Sequence, residues 1–332
     1  CRLMADYKGI KGFKVQVLDS DPPSPIVGQV FYNSTTQILK GVRAGVAADG
    51  TWASGGNLNT ARVSLRGSGT QTAGLAVGGS GAFPPPGVTA VTELYNGSSW
   101  TEVNDLNTAR RNMGVAGTQT ASIAGTGAGT PAPLAASCEL WNGTSWSEVA
   151  DMNTPRQSQS ACGTSTSALT AGGEPGSPTN AETWDGSAWT AIATISSGGV
   201  TGVAGVSNSS ALAISGMPGV RGVNVEQWNG SGWTEIANVN VPRYSAGTSG
   251  TVTEALFFGG GDPIVTNTEY WNGSSWTEVA NLSTATGNMM ASNQSASAAL
   301  SAGGFVSGSP NGVTTTEEWT IPDVVIKTVT TS

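Results

Sequence analysis

Short segments of alternating apolar and polar residues recur along the chain, each pair flanking an Asn-Gly or Asp-Gly dipeptide. The pattern is clearest in Glu269-Tyr-Trp-Asn-Gly-Ser-Ser-Trp276, and four similar copies begin at Glu93, Glu139, Glu182 and Glu226. Alternation over a few residues indicates a strand with one buried face, and the dipeptide supplies the positive φ that a tight hairpin turn needs. Each copy therefore predicts a β-hairpin whose two aromatic residues face each other across the strands.

The hairpins return at a nearly constant interval. Their second tryptophans are Trp100, Trp146, Trp189, Trp233 and Trp276, separated by 46, 43, 44 and 43 residues. In the first repeat the hairpin follows Leu58-Asn-Thr-Ala-Arg62, a strand ending at Gly78-Gly79, and a loop rich in Pro and Gly. A strand-borne period of this length is typical of propeller blades. The repeat predicts six four-stranded blades, at residues 57–104, 105–150, 151–193, 194–237, 238–280 and 281–320.

The first and last copies of the pattern are incomplete in complementary ways. Asp49-Gly-Thr-Trp52 matches the end of the hairpin, whereas Thr316-Glu-Glu-Trp319 matches its beginning and has no second half. A ring of sheets must cover its two edge strands, and a blade built from both chain ends does so. The sequence therefore predicts an all-β, six-bladed β-propeller closed by an N-terminal strand around Trp52.

The predicted domain organisation is an N-terminal β-rich segment, a propeller and a C-terminal tail, at residues 1–45, 46–320 and 321–332. The N-terminal segment holds four of the five lysines, a predicted strand at 13–18 and a predicted hairpin at 28–40. It is too short for much of a core of its own. We expect it to pack on the propeller or on a neighbouring subunit, and we expect the alternating tail to add a last strand to it.

The repeat resembles the kelch repeat over about 270 residues. The resemblance is carried by a Gly-Gly doublet, a loop, an aromatic residue, a tryptophan about six residues later and a following Pro-Arg, as in Pro155-Arg156 and Pro242-Arg243. It implies a β-propeller of four-stranded blades. The chain departs from the pattern at Gly199 and Thr286, which replace the arginine.

The flanking segments resemble kelch-like virion proteins of marine tailed phages. The matching stretches are Met4-Ala-Asp-Tyr-Lys8, Pro22-Pro-Ser-Pro25, Gly28-Gln-Val-Phe-Tyr-Asn33 and the Thr-rich ending from Ile326. The resemblance implies a non-enzymatic structural or adhesive protein of a tail, fibre or capsid surface, oligomeric or present in several copies. Its implied partners are other virion proteins, through the N-terminal segment, and a host glycan or surface protein.

The beginning of the sequence bears on localisation. Met4 is a more natural translation start than Cys1, so residues 1–3 are expected to be an extension, with a lipid-bearing Cys1 as the alternative. No basic and apolar signal peptide is seen. We expect synthesis in the host cytoplasm and display on the virion surface.

Charge and composition narrow the chemistry. A net charge of −8 disfavours nonspecific binding to nucleic acid or to anionic membranes, and no apolar run is long enough for membrane insertion. The chain has no histidine, which removes the commonest general base and metal ligand. We predict no catalytic residue, cofactor or metal. The three cysteines, Cys1, Cys138 and Cys162, are expected to be buried free thiols.

The candidate binding residues fall into two groups. The first is the repeated arginine, at Arg62, Arg110, Arg156 and Arg243, for which two interpretations stand. The arginines line one mouth of the ring and bind an anionic ligand, or they pair with the repeated glutamates, which is the favoured interpretation.

The second group lies in the connections between the second and third strands of the blades, where we single out Phe83, Pro85, Arg221 and Phe305. These connections vary most in length and content, and a rigid scaffold that presents variable loops is a common way to build a binding surface. The alternative is that they merely connect strands.

Two other functions remain open at this stage. One is a carbohydrate-active enzyme, a sugar oxidase or lyase, on a propeller scaffold. The other is a cellular scaffold that recruits a protein partner through the propeller mouth.

Overall fold

The computed structural model describes residues 15–81, 87–129, 134–176, 179–215, 222–261, 263–309 and 312–329. In these ranges the chain forms 28 strands and one short 3-10 helix, and the strands assemble into seven four-stranded sheets. The fold is all-β, as predicted. The described chain divides into two units, residues 51–320 and an N-terminal unit of residues 15–50 with 321–329.

The elements follow one another in a regular order. They are β1 (Gln16–Leu18), β2 (Val30–Asn33), β3 (Ile38–Ala44), the 3-10 helix (Ala47–Asp49), β4 (Thr51–Ser54), β5 (Arg66–Thr70), β6 (Ala73–Val77), β7 (Thr92–Tyr95), β8 (Trp100–Glu102), β9 (Gly114–Gly117), β10 (Ser122–Gly125), β11 (Cys138–Trp141), β12 (Trp146–Val149), β13 (Ser160–Thr164) and β14 (Ser167–Ala171). They continue with β15 (Ala181–Trp184), β16 (Trp189–Ile192), β17 (Val200–Ser207), β18 (Ser210–Ser215), β19 (Val225–Trp228), β20 (Trp233–Ile236), β21 (Gly247–Gly250), β22 (Ala255–Phe258), β23 (Thr268–Trp271), β24 (Trp276–Glu278), β25 (Met290–Ala291), β26 (Ala298–Ala302), β27 (Thr316–Thr320) and β28 (Val324–Thr328).

Six antiparallel sheets form the unit of residues 51–320, one for each predicted repeat. Sheets 1 to 5 are β5–β8, β9–β12, β13–β16, β17–β20 and β21–β24, each in sequence order. Sheet 6 has the order β25-β26-β27-β4. The first strands of the sheets contact one another in series, from β5 through β9, β13, β17, β21 and β25, and β25 also contacts β5. This is a propeller-like arrangement.

Sheet 6 combines strands from the two ends of the unit. Trp52 of β4 is the partner of Trp319 of β27, and their ring centroids lie 5.7 Å apart. The Trp52 indole also donates a 3.0 Å hydrogen bond to the hydroxyl of Thr268 in sheet 5. The incomplete copies of the repeat therefore lie in one sheet.

The hairpins form where the Asn-Gly and Asp-Gly pairs predict them. In the fifth copy Trp271 and Trp276 are cross-strand partners with ring centroids 5.4 Å apart. The Asn272 side-chain oxygen accepts hydrogen bonds from the backbone N–H groups of Ser274 and Ser275, and Gly273 has a φ of +91°. Asparagine closes this kind of turn through its own side chain, which explains the Asn-Gly dipeptide.

The hydrophobic core lies between neighbouring sheets. Leu75 and Val77 of sheet 1 pack with Val115 and Trp141 of sheet 2, and similar clusters join the next three pairs of sheets. Leu300 of sheet 6 packs in the same way in a cluster with Leu65 and Trp100 of repeat 1. Sheets 1 to 4 therefore bury both of their faces against other sheets, and removal of these large side chains from water is the main stabilising contribution.

The N-terminal unit contains the seventh sheet, in the order β1-β2-β3-β28. The hairpin predicted at 28–40 is present as β2 and β3, and the tail adds β28 against β3. Residues 13 and 14 of the predicted first strand lie outside the described residues. The Asp49 carboxylate contacts Arg43 and Lys327, and hydrogen bonds from Arg43 and from the Val46 backbone lower its pKa to about 2.

Candidate functional site

The candidate surface is the end of the propeller-like unit that carries the second-to-third-strand connections. Because all six sheets share one strand order and their first strands lie side by side, these connections leave at the same end. We call this end the loop face. It comprises the described parts of residues 78–91, 126–137, 172–180, 222–224, 259–267 and 303–315.

Glycine doublets at the base of the loop face join adjacent sheets. The second residue of the doublet, or its equivalent, donates its backbone N–H to a backbone carbonyl of the next repeat. The acceptor is the repeated arginine or the residue that stands in its place. These bonds are Gly79 to Arg110, Gly127 to Arg156, Gly260 to Thr286 and Gly304 to Arg62, at 2.8–2.9 Å. Gly260 has a φ of +108°, and a Cβ there would lie 2.8 Å from the carbonyl oxygen of Tyr244. Glycine is thus required by both conformation and space.

A second set of backbone bonds surrounds the axis at the same end. One residue at the start of each of five first strands has a left-handed conformation, with φ between 53° and 61°: Ser64, Asn112, Ser158, Ser245 and Asn288. Asn112 donates its N–H to Ser64, and Ser64 donates its own to Asn288, at 2.9 and 3.0 Å. Short polar side chains tolerate this conformation best. The base of the loop face is therefore a rigid, hydrogen-bonded rim.

The four repeated arginines lie beneath this rim in buried ion pairs. Each guanidinium contacts the glutamate of the third strand of its own repeat, in the pairs Arg62–Glu93, Arg110–Glu139, Arg156–Glu182 and Arg243–Glu269. The Arg62 and Glu93 side chains are both fully buried, 2.8 Å apart. Burial lowers the pKa values of Arg62, Arg156 and Arg243, and the paired carboxylates oppose that shift.

These contacts decide between the two interpretations of the arginines. Their exposed side-chain fraction is 0–1%, so they do not line a mouth that a ligand or partner can reach. The pairing interpretation is the one the structure shows, and the anionic-ligand interpretation is corrected. The reason is electrostatic, since each guanidinium is held by a buried glutamate of its own repeat.

An asparagine completes each of these arrangements. The Asn59 backbone N–H and side-chain amide both donate to Glu93 at 2.8 Å, and the amide also donates to the Trp100 carbonyl. Asn107, Asn153 and Asn240 make the same contacts in the other arginine-containing repeats. Each glutamate therefore fixes the segment that carries the asparagine, which leads into the first strand of the repeat, to the third strand of the sheet.

The repeats that lack the arginine keep the glutamate. Glu226 accepts hydrogen bonds from the backbone N–H groups of Ser196 and Ser197, and Glu317 accepts them from Ser283 and Thr284. Backbone donors stabilise the carboxylate where no guanidinium does. The periodic glutamate has the same structural role in all six repeats and is not an acidic ring open to ligands.

Above the rim, one cleft opens on the loop face between sheets 5 and 6. It has a volume of about 250 Å³ and is lined by Tyr244, Pro263, Ile264 and Phe305 together with glycine backbone. Gly261 lies against the Tyr244 ring, with a Cβ position 3.5 Å from it. The cleft is smaller than a typical closed small-molecule pocket of about 300–1,000 Å³. Its size and open form suit one unit of a polymer or one side chain of a protein.

Of the loop residues singled out in the sequence, Phe305 lies in this cleft, whereas Phe83, Pro85 and Arg221 lie outside the described residues. The sequence did not single out Tyr244, which contributes the other ring. Its signal was its position directly after the arginine of the repeat, where Val63, Arg111, Gln157 and Gly287 stand in other repeats.

Titratable groups are sparse at this end. Burial raises the pKa of the Glu174 carboxyl, and a hydrogen bond from Ser158 opposes the shift. Within the described ranges no group of three or more His, Cys, Asp or Glu residues is placed to hold a metal ion.

Cys138 and Cys162 are free and buried, and burial raises the pKa values of their thiols to about 11 and about 12. Both are thus poor nucleophiles at neutral pH.

Comparison with known proteins places the fold. No family model matches the sequence, and no curated protein matches it. Among solved structures the chain is similar to that of YjhT, with a TM-score of 0.66 and 14% sequence identity, over 82% of this chain and 99% of that one. At this identity the likeness carries the fold alone, and the protein is a propeller-like all-β protein.

Proposed function

We propose that this chain is a non-enzymatic structural and adhesive protein that binds a host glycan or surface protein through its loop face and is displayed on a tailed-phage particle. Its scaffold is a six-bladed kelch-type propeller closed by β4, with sheets 1 to 6 as blades. The backbone bonds from Ser64 to Asn288 and from Gly304 to Arg62 support closure, since both join the first and last repeats.

The observation that carries the proposal is the contrast between the loop face and its base. The base repeats the same ion pairs, glycine doublets and left-handed residues from sheet to sheet, whereas the connections above it differ in length and composition. A constant scaffold under variable loops is the arrangement of a binding surface. The open cleft at Tyr244 and Phe305 supplies aromatic surface of the kind that dominates recognition sites.

The N-terminal unit is proposed to anchor the chain to the particle. Four of the five exposed large hydrophobic residues in the described ranges belong to it: Ile26, Val27, Val46 and Val329, with exposed fractions of 72%, 54%, 50% and 42%. A small unit that leaves this much apolar surface open is suited to contact with another protein. Several weakly binding copies on one particle would then bind a host surface through avidity.

Mass spectrometry of purified particles tests the location. The proposal expects the chain among the virion proteins, and its absence from particles would remove the virion assignment.

Binding is tested with the purified chain on host cells. The double variant Tyr244→Ala/Phe305→Ala should bind at least about tenfold more weakly, the effect of losing about 1.4 kcal/mol of contact energy. A matched control is Ser231→Ala/Ser274→Ala, which changes hairpin turns at the opposite end and should bind like the natural chain. Equal binding by both variants, or turnover of a host polysaccharide, would contradict an adhesive loop face.

A further inference from the structure

The cleft between sheets 5 and 6 has a floor without side chains. At the base of the loop face, the residue after the arginine position of a repeat pairs with the residue after its glycine doublet, as Tyr244 does with Gly261 and Gly287 with Phe305. Where repeats 5 and 6 meet, the two adjoining residues are both glycine, and a Cβ on Gly287 would lie 3.5 Å from the Gly261 nitrogen. The corresponding pairs in the other described repeats all carry side chains: Val63–Ser80, Arg111–Ala128 and Gln157–Glu174.

Two aromatic residues flank this glycine floor. The Tyr244 ring lies against one side, 3.5 Å from the Cβ position of Gly261, and the Tyr244 carbonyl accepts a 2.7 Å hydrogen bond from the Gly261 N–H. Phe305 stands at the other side, where it exchanges backbone hydrogen bonds of 2.7 and 3.0 Å with Gly287. The cleft is therefore a preformed groove with a backbone floor and half-buried aromatic walls.

Asn288 supplies a polar side chain to the same lining. Its backbone N–H donates to the Ser245 carbonyl and its own carbonyl accepts from Ser64, both at 3.0 Å, so its backbone belongs to the rigid rim. Within the described part of the chain, no hydrogen bond uses its side-chain amide. An amide both donates and accepts, and a hydroxyl group does the same, so the two are matched partners.

The charge of the cleft bears on the charge of its ligand. None of the described residues that line it is ionisable near neutral pH. The sequence places Asp262 between Gly261 and Pro263, and the chain as a whole carries a net charge of −8. A negative surface repels anionic ligands. The ligand favoured by these features is uncharged, with an apolar face for the rings and a hydroxyl edge for the amide.

We propose that this cleft binds a neutral pyranose unit of a surface polysaccharide, an inference that rests on the proposed adhesive function. A pyranose presents C–H groups on its faces and hydroxyl groups around its edge. The C–H groups carry a partial positive charge and pack against the negative face of the Tyr244 or Phe305 ring. A hydroxyl exchanges hydrogen bonds with the Asn288 amide, which an apolar protein side chain would desolvate without a partner. The two glycines let the sugar reach the floor.

Selective destruction of host surface groups tests the class of ligand. Periodate cleaves vicinal diols and opens pyranose rings, whereas proteinase K digests surface proteins. Binding of the purified natural chain to host cells should be lost after periodate treatment and retained after protease treatment. Polysaccharide extracted from the same cells should compete for binding in its neutral fraction, and the fraction retained by an anion-exchange resin should not compete.

Three substitutions test the cleft itself. Gly261 has no positive φ and its Cβ position is at ordinary contact distance from Tyr244, so Gly261→Ala should fold, yet its methyl group covers the floor and should weaken host-cell binding about tenfold. Phe305→Leu keeps apolar surface but removes the ring face, and should weaken binding about threefold to tenfold. Gly129→Ala is the matched control on the loop face. Its Cβ position is 3.8 Å from the Ala109 carbonyl oxygen and it does not line the cleft, so it should bind like the natural chain.

The outcomes separate this inference from the function on which it rests. A natural chain that does not bind host cells at all would overturn both. Binding that protease removes and periodate spares, or competition by the anionic fraction alone, would overturn the neutral pyranose and leave the adhesive function standing. The same conclusion would follow if Gly261→Ala and Phe305→Leu both bound host cells like Gly129→Ala.

Discussion

At the scale of single residues, the periodic charges of this chain serve the scaffold. Each buried glutamate accepts hydrogen bonds from the backbone of the preceding connection, and four of the six also receive an asparagine side chain and a guanidinium. A buried pair of this kind is a modest stabiliser when intact and a large liability when broken, because the remaining charge is left without a partner.

Arg62→Met tests this directly. The change should lower the free energy of unfolding by about 3–5 kcal/mol, because it leaves the fully buried Glu93 carboxylate unpaired. The double variant Arg62→Met/Glu93→Gln should recover part of the loss, and Glu148→Gln, at an exposed position, should change little. Denaturant unfolding measures all three. Additive losses in the double variant would show that the two side chains are not coupled.

A second residue-scale feature concerns the indole of each outer strand. Trp146 donates to the Thr92 hydroxyl at 3.1 Å, and Trp100 donates to Thr316 in the same way. For Trp189 of the third repeat the corresponding position is occupied by Cys138 of the second repeat, and no oxygen acceptor among the described residues lies within hydrogen-bond distance of the Trp189 Nε1. Trp233 and Trp276 donate instead to the backbone carbonyls of Ala193 and Ala237, so Trp189 is the outer-strand indole in the described repeats that lacks an oxygen acceptor.

Cys138→Thr should supply the Trp189 indole with an oxygen acceptor. The new hydroxyl would accept from Trp189 and donate to the Ala136 carbonyl, as Thr92 donates to Ala90, so stability should rise by about 0.5–1.5 kcal/mol. Cys162→Thr is the matched control, and it should destabilise because it buries a hydroxyl in an apolar cluster with no indole N–H to donate to it. The midpoint of urea unfolding measures both. A Cys138→Thr variant less stable than the natural chain would contradict this account of Trp189.

The sequence favoured the glutamate and arginine pairs because the glutamate recurs in all six repeats and the arginine in four of them. It also contained the asparagine signal, since Asn59, Asn107, Asn153 and Asn240 recur with the same period, yet the role of the asparagine emerged only from its contacts.

At the scale of elements, the hairpin is the unit that the sequence specifies best. An Asn-Gly or Asp-Gly turn, two aromatic residues and an alternating pattern agree on one local structure, and the structure contains it in five copies. The sequence specifies the first strands of the sheets less well, because they are rich in Gly, Ser and Ala. In sheet 4 the register between β17 and β18 is irregular. Small residues fit the crowded axis but carry little local signal.

Two glycines of one turn test the hairpin account. Gly230 has a φ of +92°, whereas Gly232 has no positive φ and open space around its Cβ position. Gly230→Ala should lower the free energy of unfolding by about 1–2 kcal/mol, because a Cβ is unfavourable in the left-handed region. Gly232→Ala should be neutral or stabilising by up to about 1 kcal/mol. Equal effects of the two substitutions on thermal unfolding would count against the assigned turn.

The stability of the N-terminal sheet is expected to depend on pH through the ionisation of Asp49. The pKa of Asp49 is lowered to about 2 in the folded chain, from its ordinary value of 3.8. Its contribution is therefore present above about pH 4 and is lost as the pH falls from about 4 to 2. Hydrogen exchange in β3 and β28 should accelerate across that window, and Asp49→Asn should remove the dependence. A transition that persists in Asp49→Asn would assign it to another group.

At the scale of the whole molecule, the fold follows from repetition. The 43–46-residue period predicted the order of sheets 1 to 6, and the incomplete first and last copies predicted that Trp52 and Trp319 share a sheet. The variable connections are where prediction stopped, since they have no period, and the cleft at Tyr244 and Phe305 depends on which repeats are neighbours. Under the proposed function, binding specificity resides in the part of the chain that the repeat does not encode.

Closure of the ring is the claim on which the display of a rigid loop face depends, and hydrogen exchange of β4 tests it most directly. β8 is the internal reference, because it is the outer strand of sheet 1 just as β4 is of sheet 6. The account predicts that residues 51–54 are as protected as β8 and open together with β27. Exchange of residues 51–54 at the rate of an unstructured chain, while β8 and β27 remain protected, would contradict it.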